Sequence, residues 1–593
     1  MAKTKIEVLE LKPDRSLIDV NFDGYKLSLE PIPLKTKLIN KGIGEREAKG
    51  EQQWGAAYVR EFAAANALVR SPWDEEAVYI FLQDGLYHTT FCPRNREWGE
   101  LSLAVSCEES SWSSEGLPAS LVFASANLAV LSFGDAQAPR FYATGQLPWK
   151  ELRLAESVES QPLAERWAGG PCRLLDAVLE EEGEVLRVLT LRLQQTSGQP
   201  GHSAALSVYQ FASEAEALDL TAVQQLHSPG RPDWAGLGRQ RRVLACLAAH
   251  RPRLLFDSAQ PLPEKTEPEE EPVAEKLYSW TQDQDFASAV YQAPRGTSKD
   301  AVHWHLSGEE CCLRVNGLTI CEGRPGGAVQ LASSLWTIAD DGLVELRLAK
   351  DGESSWTEFV LGDAGGEYVA DPELVRTVAE RLQAFTSETQ AGDGALKSPN
   401  FNAAQLEEVD EASGDAAFLS LFHLQEQRTT HEADVSGRQV LGWLGAANAA
   451  GLAQLCIRHD VDGLVWELVE EACPRLRHAH TFNALGYVAA SKAARRWLAA
   501  PADRSWVALV DGKRYAYIYY APSQLEASLS NRKTGQKVKQ VAKEAVISLE
   551  GAEDIVGAVA AGETLLLATR SKLIAALIVQ KTYSLPEDKT KAE

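Results

Sequence analysis

The amino-acid sequence predicts a mainly β protein, a body of short strands in two halves with a compact antiparallel β-sandwich placed between them. Three observations lead there. Short apolar runs broken by polar turns fill the chain from Val78 to the mid-250s, the same style returns from Trp506 onward, and an acidic, Pro-rich stretch sets off a strand-rich block between the two. Runs of this length, punctuated by turn residues and with few helix signals, are how antiparallel sheets read.

At 593 residues the chain exceeds the roughly 250–300 at which one hydrophobic core stops growing, so more than one unit is expected. Its composition, 45% hydrophobic and 24% charged, is that of a folded globular protein. In the first half the runs 78–82 and 86–91 flank Asp84-Gly85, a pair that tolerates the positive φ of a tight hairpin, and further runs fall at 121–123 and 128–133. In the last part the runs 506–510 and 515–520 flank Asp511-Gly512, followed by 555–559, 565–569 and 573–579. Several short strands in each stretch of roughly 40–50 residues suit propeller blades, four-stranded sheets packed around a central channel. Residues 1–260 and 401–583 are therefore compatible with propeller blades, on rhythm alone, since no Trp-Asp or kelch signature is present.

Residues 261–276, from Pro261-Leu262-Pro263 through Glu269-Glu270-Glu271-Pro272, are too acidic and Pro-rich to pack and read as a linker. The block 277–363 then carries runs at 288–291, 302–306, 311–315, 318–321, 334–338 and 343–348, with Asn316-Gly317 and Asp341-Gly342 as hairpin turns. Val344, Leu346 and Leu348 alternate with Glu345 and Arg347, the period of a half-buried strand. A helix is expected at 371–386: Asp371 is a good N-cap, Pro372 fits the first turn, and Leu374, Val375, Val378, Leu382 and Phe385 make one apolar stripe. A second linker, 387–400, rich in Gly, Ser and Thr, and a polar tail, 584–593, complete the division.

The middle block resembles the CS domain of the NudC family, a relative of co-chaperone and small heat-shock sandwiches. The resemblance rests on Tyr278-Ser279-Trp280-Thr281-Gln282, Trp336-Thr337-Ile338, Leu346-Arg347-Leu348-Ala349-Lys350 and Trp356, taken in that order. Outside it, Phe22-Asp23-Gly24-Tyr25-Lys26-Leu27-Ser28-Leu29-Glu30-Pro31 is similar to the opening of one member of that family. So are Ala379-Glu380-Arg381-Leu382, Arg458-His459-Asp460-Val461-Asp462, Thr481-Phe482-Asn483-Ala484-Leu485-Gly486-Tyr487-Val488 and Asn531-Arg532-Lys533 running on to Gln540-Val541-Ala542-Lys543. The resemblance implies a β-propeller-like body made jointly by both halves, with a CS-type antiparallel β-sandwich inserted. It implies a non-enzymatic adaptor or co-chaperone that binds client proteins, β-propellers among them, and cooperates with heat-shock protein 90. The alternative is a constitutive scaffold whose body recruits an RNA-processing or trafficking complex.

Motifs for chemistry are few. The phosphate-cradling GxxxxGK[ST] loop and the GxSxG nucleophile elbow are missing. His431-Glu432-Ala433-Asp434-Val435 begins like a zinc-protease motif but has Val435 where the second histidine belongs. His303-Trp304-His305 and His478-Ala479-His480 put two imidazoles on one face of an extended strand and are read as ordinary histidines rather than ligands. His459-Asp460-Val461-Asp462 is read as a turn between strands, with an acid–base or cation site as the sharper option. No catalytic residue, cofactor or metal is expected.

The candidate protein-binding residues are Trp280, Trp336, Lys350, Trp356, Arg532 and Lys533. The three tryptophans are expected first as sandwich core and only then as contact residues, since large aromatics dominate interfaces where exposed. Lys350, ending a strand, is expected to face solvent. Arg532 and Lys533, with Lys537, Lys539 and Lys543, form the most basic stretch of a chain whose formal net charge is −24. That overall charge speaks against a phosphate-neutralising surface, so no direct nucleic-acid contact is expected. Nine cysteines scattered without CxxC spacing read as reduced thiols. With no 18-residue apolar run, no signal-peptide pattern after Met1 and no Asn-x-Ser/Thr acceptor, the expected location is the cytoplasm, or also the nucleus, without membrane insertion.

Overall fold

The computed structural model describes residues 6–368 and 417–578 apart from short stretches within them, the longest being 45–55 and 263–277. The expected helix at 371–386, the linker at 387–400, the tail at 584–593, the turn at 341–342 and all but the first two residues of the linker at 261–276 lie outside the described residues. The chain divides into two compact units, Met1–Pro263 with Gln405–Glu593, and Glu264–Ala404.

The first unit consists, among the described residues, of seven blades that follow one another along the chain. Blade 1 holds Leu68–Arg70, Ala77–Leu82 and Gly85–Cys92, to which Glu97–Trp98 and Ser102–Ser106 add. Blade 2 is Ser120–Ser125, Leu128–Ser132, Arg140–Ala143 and Lys150–Leu154, and blade 3 is Arg173–Leu179, Val185–Gln195, His202–Glu214 and Ala217–Ser228. A short parallel pairing of Leu154 with Leu218 joins the outer strands of these two. Blade 4 pairs Trp234–Leu237 and Val243–Ala248 with Phe418–His423 and Arg428–Asp434. Blade 5 is Val440–Leu444, Gln454–His459, Asp462–Val469 and Arg475–Phe482; blade 6 is Arg495–Ala499, Trp506–Asp511, Tyr515–Tyr520 and Lys537–Ser548. Blade 7 joins Ile555–Ala561, Thr564–Thr569 and Lys572–Leu577 to Leu34–Leu38 from the start of the chain.

Each neighbouring pair of blades shares a hydrophobic core, and the series returns to its start. Tyr79 with Leu121 links blades 1 and 2, Phe141 with Val188 blades 2 and 3, and Leu189 with Leu244 blades 3 and 4. Leu421 with Ile457 links blades 4 and 5, Cys456 with Val507 blades 5 and 6, Trp506 with Leu567 blades 6 and 7, and Leu566 with Ile80 blades 7 and 1. This unit is thus a closed seven-bladed ring, the β-propeller-like body that the resemblance implies and the rhythm of short strands suits. Strands pressed between two neighbours bury both faces, which is why Ala77–Leu82, Val243–Ala248, Trp506–Asp511 and Thr564–Thr569 are buried throughout and read as unbroken apolar runs rather than alternating ones. The outermost strands Lys150–Leu154 and Leu34–Leu38 are mostly exposed.

Two blades are composite. Blade 4 takes half its strands from before the second unit and half from after it, with Ala245 opposite Leu421. Blade 7 is completed by the antiparallel pairing of Thr36 with Ile574. Before that strand, the N-terminal segment adds short parallel pieces, Glu7–Val8 on blade 4 and Tyr25–Leu27 on blade 6.

The first strands of most adjacent blades touch one another around the inside of the ring, and α1, Ala56–Ala63, is tied to three blades there. Its Glu61 has no solvent exposure and is held by the guanidinium groups of Arg173, at the start of blade 3, and Arg231, just before blade 4. Arg496 of blade 6 donates to the carbonyls of Ala63 (2.9 Å), Phe62 (3.0 Å) and Ala65 (3.3 Å), satisfying helix-end acceptors with a favourable charge. Burial pushes the Glu61 carboxyl up, but the two arginines more than offset it and hold it below the usual range. Because the folded carboxyl titrates below the unfolded one, its contribution is complete above about pH 4.3 and is lost as pH falls through the depressed folded value. Glu61→Gln is expected to lower stability at pH 7 by about 3–5 kcal/mol, since two partly buried guanidiniums lose their counter-charge. The difference from the parent should shrink in melts below about pH 4; a constant difference across that range would contradict the assignment.

The second unit is a two-layer sandwich, antiparallel as expected except where Tyr278–Gln282 pairs in parallel with Gly366–Tyr368. One sheet runs Leu335–Ile338, Leu343–Ala349, Phe286–Gln292, Tyr278–Gln282, Gly366–Tyr368, and the other Val302–Leu306, Cys311–Val315, Leu318–Pro325, Val360–Leu361. Asn316 and Gly317 both have positive φ, 52° and 81°, as their hairpin requires. Val344, Leu346 and Leu348 are fully buried on one face of their strand, as the alternation predicts.

Candidate protein-interaction site

The three tryptophans of the sandwich resolve into two sealed residues and one at an edge. Trp280 and Trp356 are 4% and 3% exposed and pack on Phe359 at ring distances of 5.9 and 6.3 Å. Trp356 lies directly on Gly327, where an added Cβ would sit 2.3 Å from its indole nitrogen. Both therefore serve as core, with almost no surface to offer a partner. Trp336 sits on Leu335–Ile338, at the end of its sheet, half-buried against the same core. Beside it Leu331 and Leu335 are 51% and 49% exposed.

The expectation that Lys350 faces solvent is corrected: it is 7% exposed. Its Nζ donates to Gln282 Oε1 at 2.7 Å and lies 5.9 Å from the centre of the Trp356 ring. The same Gln282 holds Trp356 by both main-chain groups, accepting from its N–H at 2.9 Å and donating to its carbonyl at 2.8 Å. Lys350 thus pins the strand end onto the tryptophan, a partner set that local sequence could not reveal because Gln282 lies on another strand. Arg532 and Lys533 lie outside the described residues; of their cluster, Lys543 is exposed on the last strand of blade 6.

Elsewhere, His459-Asp460-Val461 is an exposed turn in blade 5, with Asp460 at φ 53°. Asp462 instead faces inward and accepts the Ala484 N–H at 2.7 Å, its carboxyl pushed up by burial. His478 accepts the Asp14 N–H on Nδ1 at 3.1 Å, while Nε2 lies 3.0 Å from both the His480 carbonyl and Thr481 Oγ1, so both ring nitrogens are occupied. Burial holds His480 down to about 4. His303 and His305 share one exposed face of their strand, and His431 lies on a strand beside Glu7, not on a helix. Among the described residues no three potential ligands converge on a metal site.

A closed propeller-like ring carrying an inserted CS-type sandwich is the class of protein these features define. The resemblance to the NudC family extends over 95% of the chain: it is 28% identical over 587 residues to NudC domain-containing protein 1 of Xenopus tropicalis, which it covers to 97%. Against the protein of the same name from Mus musculus the identity is 27%, with the same coverage. No family model matches. Among solved structures, the chain is similar to the CS domain of human KIAA1068 protein (22% identity, 18% of this chain and 90% of that one, TM-score 0.14). It is also similar to the Cps50 (Swd1) β-propeller domain of Myceliophteria thermophila (10% identity, 79% and 97%, TM-score 0.26).

The Gln282 bridge gives an ordered pair of outcomes. Gln282→Ala is expected to destabilise the sandwich by about 1–3 kcal/mol, because a buried ammonium and a main-chain N–H lose an acceptor. Lys350→Met, which removes the charge and keeps the stem, is expected to cost less. Urea unfolding of the two variants checks the order; a reversal would mean that the charge itself holds the strand end.

Proposed function

We propose that this protein is a non-enzymatic adaptor or co-chaperone of the NudC type that binds client proteins, with heat-shock protein 90 as a cooperating partner. The observation that carries the reading is the similarity to NudC domain-containing protein 1 over 95% of the chain. Within the sandwich, the contact surface we favour is the Leu335–Ile338 edge, with Trp336 at its base and Leu331 and Leu335 exposed. A sheet edge offers main-chain groups to an extended client segment, and apolar side chains beside it add affinity. Work in the cytoplasm, or also in the nucleus, accords with this role; no helix among the described residues is long and apolar enough to cross a membrane.

A second reading places the main contacts on the body, as a scaffold for a fixed RNA-processing or trafficking complex. It is favoured by a cavity of about 420 Å³ beside α1, lined by Phe62, Phe81 and Val556 with Arg496 and Arg570. Quantitative affinity purification separates the two. Leu335→Glu in the full chain is expected to reduce client recovery about tenfold, the effect of losing an interface residue worth about 1.4 kcal/mol, with the melting temperature unchanged. Full recovery with that variant would move the contacts to the body.

A further inference from the structure

Two thiols meet inside the sandwich. Cys311 and Cys321 lie on adjacent strands, Cys311–Val315 and Leu318–Pro325, where Leu313 is opposite Cys321 and Cys311 is opposite Gly323. They are therefore diagonal neighbours on one face, and both point into the core with 0% and 2% exposure. The Cys321 thiol lies beside the Cys311 sulfur. That neighbouring thiol favours the Cys311 thiolate and lowers its pKa against the opposing effect of burial, while the same pairing, together with burial, raises the pKa of Cys321.

We propose that Cys311 and Cys321 form a reversible oxidation site, joined as a disulfide by hydroperoxides when the sandwich opens locally. The Cys311 thiolate attacks a peroxide oxygen, the O–O bond breaks, and the sulfur becomes a sulfenic acid while the other oxygen leaves, protonated, as water or alcohol. Cys321 then attacks that sulfur; the S–S bond forms and hydroxide departs with the Cys321 proton as water. The two electrons lost by the thiols reside on the peroxide oxygens. Local opening is needed because neither sulfur is reachable in the closed core. Diagonal Cα atoms in a sheet are roughly 7–8 Å apart, beyond the roughly 7 Å within which cysteines bridge without backbone movement, so the bond forms only as the opened strands shift together and stays easily reduced by small thiols.

The test uses the full chain with Cys312→Ser, which removes an adjacent thiol on the other strand face. After graded hydrogen peroxide, alkylation under denaturing conditions and peptide mass spectrometry are expected to find the peptides of Cys311 and Cys321 linked with the loss of two hydrogens. Dithiothreitol should restore both thiols, and mild urea should speed the linkage. With Cys321→Ala, Cys311 is expected to stop at a sulfenic acid that dimedone traps. If both thiols stay reduced, in urea as well, at doses that oxidise the exposed Cys473, the proposal is overturned; a linkage of either cysteine to a different partner overturns it equally.

Discussion

The ring exists because two strands near opposite ends of the sequence find each other. Leu34–Leu38 pairs along its length with Lys572–Leu577, and without it blade 7 would end in an unpaired edge beside the core that Leu566, Leu573 and Ile80 share. Each blade buries its faces against two neighbours, so the ring is complete when the last blade packs on the first. Inside the ring, α1 is held by Arg173, Arg231 and Arg496, which blades 3, 4 and 6 bring to it.

The second seam is subtler. Blade 4 is assembled from strands on either side of the inserted sandwich, with Val243–Ala248 hydrogen-bonded to Phe418–His423. The body therefore cannot fold as two independent halves, since each half leaves an open edge in the middle of a sheet. The sandwich, by contrast, owns a complete core around Trp280, Leu346, Leu348, Trp356 and Phe359. An insertion that closes on itself can be carried without disturbing the sheet that it interrupts.

The proposed contact surface follows from that division. Two of the three tryptophans that mark the sandwich are committed to its interior, and Lys350 to holding Trp356, so the Leu335–Ile338 edge is where we place contact with another chain. Large aromatics serve either burial or contact, and the packing around Trp356 leaves no room for both.

The sequence by itself determined where strands lie and most of how they turn: buried runs such as 78–82, the hairpin at Asn316-Gly317, and the alternation at 343–348 are local properties of side chains and φ, although the turn expected at Asp84-Gly85 falls one residue earlier, with Leu82 opposite Gly85. It also carried the family resemblance, a matter of residue order. Tertiary structure alone decided the number of blades, the partners of the first and last strands, and the fates of Lys350, Glu61, Cys311 and Cys321. A lysine's or glutamate's burial depends on whether Gln282, or Arg173 and Arg231, arrive beside it from distant segments, and a cysteine's reactivity on the register that sets it against another. Those are pairings across the chain, and no local pattern encodes them.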